Sequence, residues 1–131
     1  MTSTILFVDD EPDLEALVLQ KFRRQIRDGV VQFVFARDGV EALASIEQNP
    51  HVDMVISDIN MPRMDGLQLL ASLKASAEWC HIPVVMITTE GGAIKVGEAG
   101  RLGAAGYVRK PFSAEQIKEK LTGILKPDKS I

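Results

Sequence analysis

Five short apolar runs, each followed by a stretch of helical period, narrow the fold of this chain more than any other feature. Ile5-Leu6-Phe7-Val8, Val30 to Ala36, Met54-Val55-Ile56, Val84-Val85-Met86-Ile87 and Ala105 to Val108 are apolar and rich in β-branched and aromatic residues. A strand with one wet face alternates polar and apolar residues, whereas a near-continuous apolar run is buried on both faces. Between the runs, apolar residues recur at helical spacing. Pro12 opens the first helix, where its missing N–H is not needed, and Leu14, Leu17, Val18, Phe22 and Ile26 extend it to Gly29. Asp38 caps the second, with Glu41 at capping-box spacing, and Val40, Leu43, Ala44 and Ile46 are its expected apolar face before Asn49-Pro50. Leu67, Leu70 and Leu73 begin the face of a third.

Gly91, Gly92, Gly97, Gly100 and Gly103 fall in the stretch expected to form the fourth helix. It is expected to be the weakest, since each interior glycine costs about 1 kcal/mol relative to Ala. Ser113 caps the last helix, which carries Ile117, Leu121 and Leu125. Five βα units imply a parallel sheet with helices on both faces and right-handed crossovers, a doubly wound α/β fold. A chain of 131 residues suits one domain, with its core at about residues 4–126.

The net charge of -3 gives no general reason to expect nucleic-acid binding, which wants a basic excess. Cys80 is the only cysteine, so no internal disulfide forms and a reducing compartment fits. Met1-Thr2-Ser3-Thr4 has neither the basic start nor the apolar run of a secretory leader. No apolar run approaches the roughly 20 residues of a membrane span. A cytoplasmic protein without a membrane segment is the expectation.

In a sheet of this kind, functional groups gather at the carboxyl ends of the strands. Strand 1 ends in Asp9-Asp10, strand 3 in Asp58 and strand 4 in Thr88-Thr89, and strand 5 runs into Lys110-Pro111. Three carboxylates, a hydroxyl and an ammonium therefore converge on one rim. Carboxylates held close persist only with positive charge among them. Mg²⁺ takes oxygen ligands and keeps several waters, leaving a place for a phosphate oxygen. With Lys110 and Thr88, this is a site for a transferring phosphoryl group, and Asp58 can be its nucleophile.

Four blocks in order carry a family resemblance: Ile5 to Pro12 with Asp9-Asp10-Glu11; Ser57-Asp58-Ile59-Asn60-Met61-Pro62 with Asp65-Gly66; Met86-Ile87-Thr88; and Gly106-Tyr107-Val108-Arg109-Lys110-Pro111-Phe112. The chain resembles the receiver domain of two-component response regulators, of the chemotaxis-regulator kind, from about Ile5 to Leu125. The resemblance implies strand order 2-1-3-4-5, the flavodoxin-like arrangement. It implies that Asp58 is the phosphoacceptor, that Asp10, Asp58 and the Asn60 carbonyl ligate Mg²⁺, and that Asp9 holds a metal-bound water. Lys110 is then the phosphoryl-contacting lysine, and Thr88 and Tyr107 are the switch pair. The donor is expected to be a histidine kinase or histidine phosphotransfer domain. The reader is a downstream output domain or protein that meets the fourth helix, fifth strand and last helix. The chain lacks the paired acids of the dimerising transcription-factor subfamily, so a monomer or a weak phosphorylation-dependent dimer is expected.

Singly, each of these residues has a plainer reading: acids favour a helix N-terminus, and a lone Asn or Asp after a strand caps or turns. Their coincidence at successive strand ends is what the plainer reading does not explain. The main rival function, an aspartate-nucleophile phosphatase, wants an acid two residues after its nucleophile, where this chain has Asn60. A nucleotide or flavin site is opposed by Asp9-Asp10-Glu11, which would repel phosphate. Trp79 and Cys80 are expected to pack, and His51 and His81 stand apart from any ligand cluster, so no zinc site is expected. Arg23, Arg24 and Arg27 complement a helix C-terminus.

Thr89 departs from the resemblance, which has Ala or Gly after the switch threonine. Its stiff β-branched side chain is expected to narrow the approach to Asp58 for phosphodonor and water alike. It would oppose Asn60 and Glu90, which match the fast-dephosphorylating type. Thr89→Ala should therefore speed both phosphorylation by small donors and loss of the phosphoryl group in saturating Mg²⁺. Unchanged rates would leave Thr89 a packing residue.

Overall fold

The computed structural model describes residues 2–49, 51–61, 63–88, 97, 99–110 and 112–124. Thr89, Glu90, Gly91, Gly92, Pro111 and Leu125 lie outside the described residues, and with them the expectations placed on them. The strands β1 (Ser3–Val8), β2 (Val31–Ala36), β3 (Met54–Asp58), β4 (Val84–Thr88) and β5 (Gly106–Arg109) form one sheet. All pairs are parallel and the order is β2-β1-β3-β4-β5, the doubly wound α/β arrangement expected. The helices are α1 (Pro12–Lys21), α2 (Arg23–Arg27), α3 (Gly39–Gln48), α4 (Gly66–Lys74) and α5 (Ala114–Ile124). Residues 97 and 99–101, in the glycine-rich stretch, are helical.

Side chains alternate across each strand, so one sheet makes two cores. Ile5, Phe7, Met54, Ile56, Val85 and Ile87 face Leu14 and Val18 of α1 and Ile117 and Leu121 of α5. Leu6, Val8, Val55, Val84 and Met86 face Ala42 and Ile46 of α3, Leu69, Leu70 and Leu73 of α4, and Ala99. This two-sided burial is why the central strands β1, β3 and β4 are buried at every position, whereas the edge strands β2 and β5 are only partly so.

The structure corrects three details of the helices. The single helix expected from Pro12 to Ile26 is broken at Phe22, whose backbone leaves helical geometry (φ -107°, ψ 16°). Its fully buried ring packs edge-on against Phe33 at 5.2 Å. Leu17 is exposed, because burial on α1 follows Leu14 and Val18, one turn apart. On α3 the buried line is Gly39, Ala42 and Ile46, and Val40 and Ala44 face solvent. Gly39 fixes that rotation: its N–H donates to the Met64 carbonyl at 3.0 Å and it lies against the Met64 side chain.

Caps set the helix starts. Asp38 accepts from the Glu41 N–H at 2.9 Å. Asp65 and Gln68 form a complete reciprocal capping box at the start of α4, in a stretch whose sequence reads only as loop. Ser113 and Gln116 exchange the same pair of bonds before α5. Between β3 and α4 the chain turns back tightly, with the Gly66 N–H donating to the Ile59 carbonyl at 2.8 Å. A Cβ on Gly66 would collide with the Asp58 carbonyl oxygen and the Ile59 Cα, both backbone atoms that cannot rotate aside. Gly66→Ala should therefore cost about 2–3 kcal/mol, read as a lower denaturant midpoint with an unchanged m-value. An unaltered midpoint would mean that the turn yields without strain.

Candidate functional site

Parallel register brings the strand ends level. Val8 lies opposite Ser57, Asp58 opposite Ile87, and Thr88 opposite Arg109. Asp9 and Asp10 after β1, Asp58 at the end of β3, Thr88 at the end of β4 and Lys110 after β5 therefore share one edge of the sheet. Backbone bonds fix their roots. The Asp9 N–H donates to the Ala36 carbonyl at 3.0 Å, and the Lys110 N–H to the Thr88 carbonyl at 2.7 Å. The Asp9 side chain is turned by its Oδ1, which accepts from the Glu11 N–H at 2.9 Å. The Asn60 N–H approaches Asp58 Oδ1 at 3.4 Å.

Lys110 is the positive centre of this edge. Its Nζ lies 2.9 Å from Asp9 Oδ2, 3.2 Å from Glu11 Oε1 and 3.3 Å from Asp58 Oδ2. Burial alone would lower its pKa, but Asp9, Asp58 and Glu11 outweigh burial and hold it above the ordinary lysine value. Asp58 moves the same way for a different reason. Burial, and then the charge of Asp9, raise its pKa; Lys110 and the Asn60 N–H oppose the rise without reversing it.

One carboxylate oxygen from each of Asp9, Asp10 and Asp58 lies within 4.8 Å of the others, with Asp9 and Asp58 buried and Asp10 exposed. An all-oxygen donor set open to solvent at one member suits a hard divalent cation such as Mg²⁺ rather than a softer metal. One ammonium among four carboxylates leaves an excess of negative charge for such an ion to offset. Thr88 is buried at the β4 terminus. Tyr107 is half-buried on β5 opposite Met86 and packs on the core beneath α3 and α4. Its hydroxyl occupies the space a Cβ on Gly100 would fill.

Three further residues have partners near the site that no local signature reveals. Glu11 reads in sequence as part of an acidic turn, yet it reaches Lys110 across 99 residues. Arg63 pairs with the buried Asp38 at 2.7 Å, and Asp38 reads only as a cap. Away from the site, Trp79 packs on the core as expected, whereas Cys80 is exposed. Among the described residues no helix is long and apolar enough to cross a membrane.

The sequence matches the response regulator receiver domain over residues 5–122. It is 36% identical over 121 residues to a chemotaxis protein CheY homolog of Campylobacter jejuni, covering 92% of this chain and 91% of that one. It is 39% identical over 121 residues to the chemotaxis protein CheY-3 of Vibrio cholerae, covering 92% and 89%. Among solved structures, the chemotaxis protein CheY4 of Vibrio cholerae superposes with a TM-score of 0.82 at 31% identity, covering 95% of this chain and all of that one.

The raised pKa of Asp58 has a consequence for stability. An ionised Asp58 is less favoured in the folded chain than in the unfolded one, so the folded protein loses stability as pH rises from the ordinary carboxylate pKa through the raised one. Asn at this position keeps an oxygen for Lys110 and removes the charge. In chelator at neutral pH, Asp58→Asn should be more stable than wild type, read as a higher Tm. The gain should vanish in acid, where both side chains are neutral. A destabilised Asp58→Asn at neutral pH would show that the Lys110 pair outweighs the repulsion.

Proposed function

Because this chain belongs to the response regulator receiver family, we propose that it is a signalling switch driven by phosphorylation of Asp58. The observation that carries the assignment is the position of that carboxylate: buried at the end of β3, beside Asp9 and Asp10, and 3.3 Å from the Lys110 ammonium.

A desolvated carboxylate is a better nucleophile than a hydrated one, and Asp58 is held with little freedom by the Asn60 N–H and Lys110. It attacks the phosphorus of a phosphohistidine on a histidine kinase or phosphotransfer domain. A P–O bond forms, the P–N bond breaks, and the electron pair leaves with the imidazole. Lys110, kept protonated by its acidic neighbours, pairs with the phosphoryl oxygens once Asp58 has become the acyl phosphate. Asp10, Asp58 and the Asn60 carbonyl would hold Mg²⁺, with Asp9 on a metal-bound water, and the ion supplies further neutralisation of phosphoryl charge. An Asp9 pinned by the Glu11 N–H and Lys110 stays oriented while Asp58 changes partners.

The output follows from charge. Phosphorylation replaces the single carboxylate charge of Asp58 by a phosphoryl group carrying about -1.5 to -2 charges and strong acceptor oxygens at neutral pH. Thr88 is drawn toward them, Tyr107 follows inward, and the surface of helical residues 97 and 99–101, β5 and α5 changes for a downstream partner. Such a switch acts in the cytoplasm, as a monomer or weak phosphorylation-dependent dimer. A phosphatase reading fails on Asn60, whose amide cannot shuttle the proton that turnover needs.

Incubation with acetyl phosphate or phosphoramidate and Mg²⁺ should add the mass of one phosphoryl group. Asp58→Ala or excess chelator should abolish the adduct, and Asp10→Ala should nearly do so. Undiminished labelling of Asp58→Ala would overturn the assignment.

A further inference from the structure

The end of β2 carries no group of the carboxylate cluster, yet it touches both halves of it. The Ala36 carbonyl accepts the Asp9 N–H at 3.0 Å and so roots the β1 acids. Two residues on, Asp38 is buried, with its side chain 5% exposed. Its Oδ1 caps α3 through the Glu41 N–H at 2.9 Å, and its Oδ2 accepts from Arg63 Nε at 2.7 Å. Arg63 belongs to the loop that leaves Asp58. The neighbouring pair repeats the link, with the Gly39 N–H on the Met64 carbonyl at 3.0 Å.

Arg63 is also the only non-glycine among the described residues with positive φ, at 61°. An L-residue in this left-handed region costs about 1–2 kcal/mol, and it persists where surrounding contacts over-determine it. Here those contacts are the bonds to Asp38 and Gly39. Burial would raise the Asp38 pKa, but the Glu41 N–H and the Arg63 guanidinium outweigh burial and lower it, so the latch is charged on both sides at neutral pH. The same loop carries Asn60, whose N–H approaches Asp58 Oδ1, and closes where the Gly66 N–H meets the Ile59 carbonyl.

The geometry points to Arg63 and Asp38 as positioning residues of the phosphorylation site: their ion pair holds Arg63 in its left-handed conformation and sets Asn60 and Asp58 against the acids of β1. Neither residue is assigned to the reacting atoms. The inference rests on the proposed function of Asp58. The pair joins a buried carboxylate to a guanidinium that is 60% exposed, and a pair serving stability alone would change unfolding and leave the metal site untouched. A positioning pair acts on metal affinity instead.

Two variants separate the roles. Asp38→Asn keeps an oxygen for the Glu41 N–H and removes the charge that grips Arg63. Arg63→Gly removes the guanidinium and relieves the left-handed backbone, and its unfolding is measured beside wild type so that lost stability is separated from lost positioning. Mn²⁺ binding by electron paramagnetic resonance, and phosphorylation by phosphoramidate with Mg²⁺ followed by mass, are measured for wild type, both variants and the double variant. Each single variant should weaken Mn²⁺ binding and slow phosphorylation by roughly tenfold, the lower end of the loss seen when direct hydrogen-bond partners of metal ligands are removed. The double variant should be no worse than either single, because both break one interaction. Single variants that bind Mn²⁺ and react like wild type, or losses that multiply in the double variant, would overturn the latch alone. A wild type that neither binds Mn²⁺ nor gains a phosphoryl mass would overturn the reading of Asp58, and the latch with it.

Discussion

The Lys110 ammonium, held among Asp9, Glu11 and Asp58, is the interaction on which the functional edge depends. Without it, buried carboxylates from β1 and β3 would face one another with no positive charge, and each would tend to take up a proton. With it, the cluster is tolerated but not relaxed. Asp58 still titrates high because burial and Asp9 outweigh the lysine. The edge is thus short of positive charge by design of its geometry, a state in which a divalent ion gains more from binding than it would from a neutral cleft.

That arrangement asks for a stiff frame. Lys110 reaches the acids only because β5 lies level with β4 and the lysine's own N–H is tied to Thr88. The register in turn rests on two apolar faces, filled by α1 and α5 on one side and α3 and α4 on the other. A one-residue slip in any strand would move its whole apolar set to the wrong face. The core therefore fixes where the charges stand. Gly66 extends the same logic beyond the strand, since only a residue without a Cβ lets α4 begin against the Asp58 backbone.

Much of this was legible in the residues. The strand and helix order, both capped helix starts at Asp38 and Ser113, and the strand-end placement of Asp9, Asp10, Asp58, Thr88 and Lys110 are local patterns, and the structure reproduces them. The strand order came from family resemblance, since parallel runs of similar composition do not announce which neighbour they choose. The positions where periodicity and burial differ share a cause. Val40, Ala44 and Leu17 sit at helical spacing on apolar sides, but which side faces the sheet was decided by contacts elsewhere: Gly39 on Met64 for α3, and the line of Leu14 and Val18 for α1. The break at Phe22 likewise follows from its ring meeting Phe33, a partner on another element.

By itself, then, the sequence determined the periodicities, the caps and which chemical groups stand at the strand ends, because these depend on neighbours within a few residues. The tertiary structure alone decided that Lys110 meets Glu11 across 99 residues, that Arg63 is held left-handed against Asp38, and how each helix is rotated on the sheet. The physical reason is range. Secondary structure follows from repeating local geometry, whereas an ion pair between distant segments exists only once two packed faces have set the height and angle of every strand end.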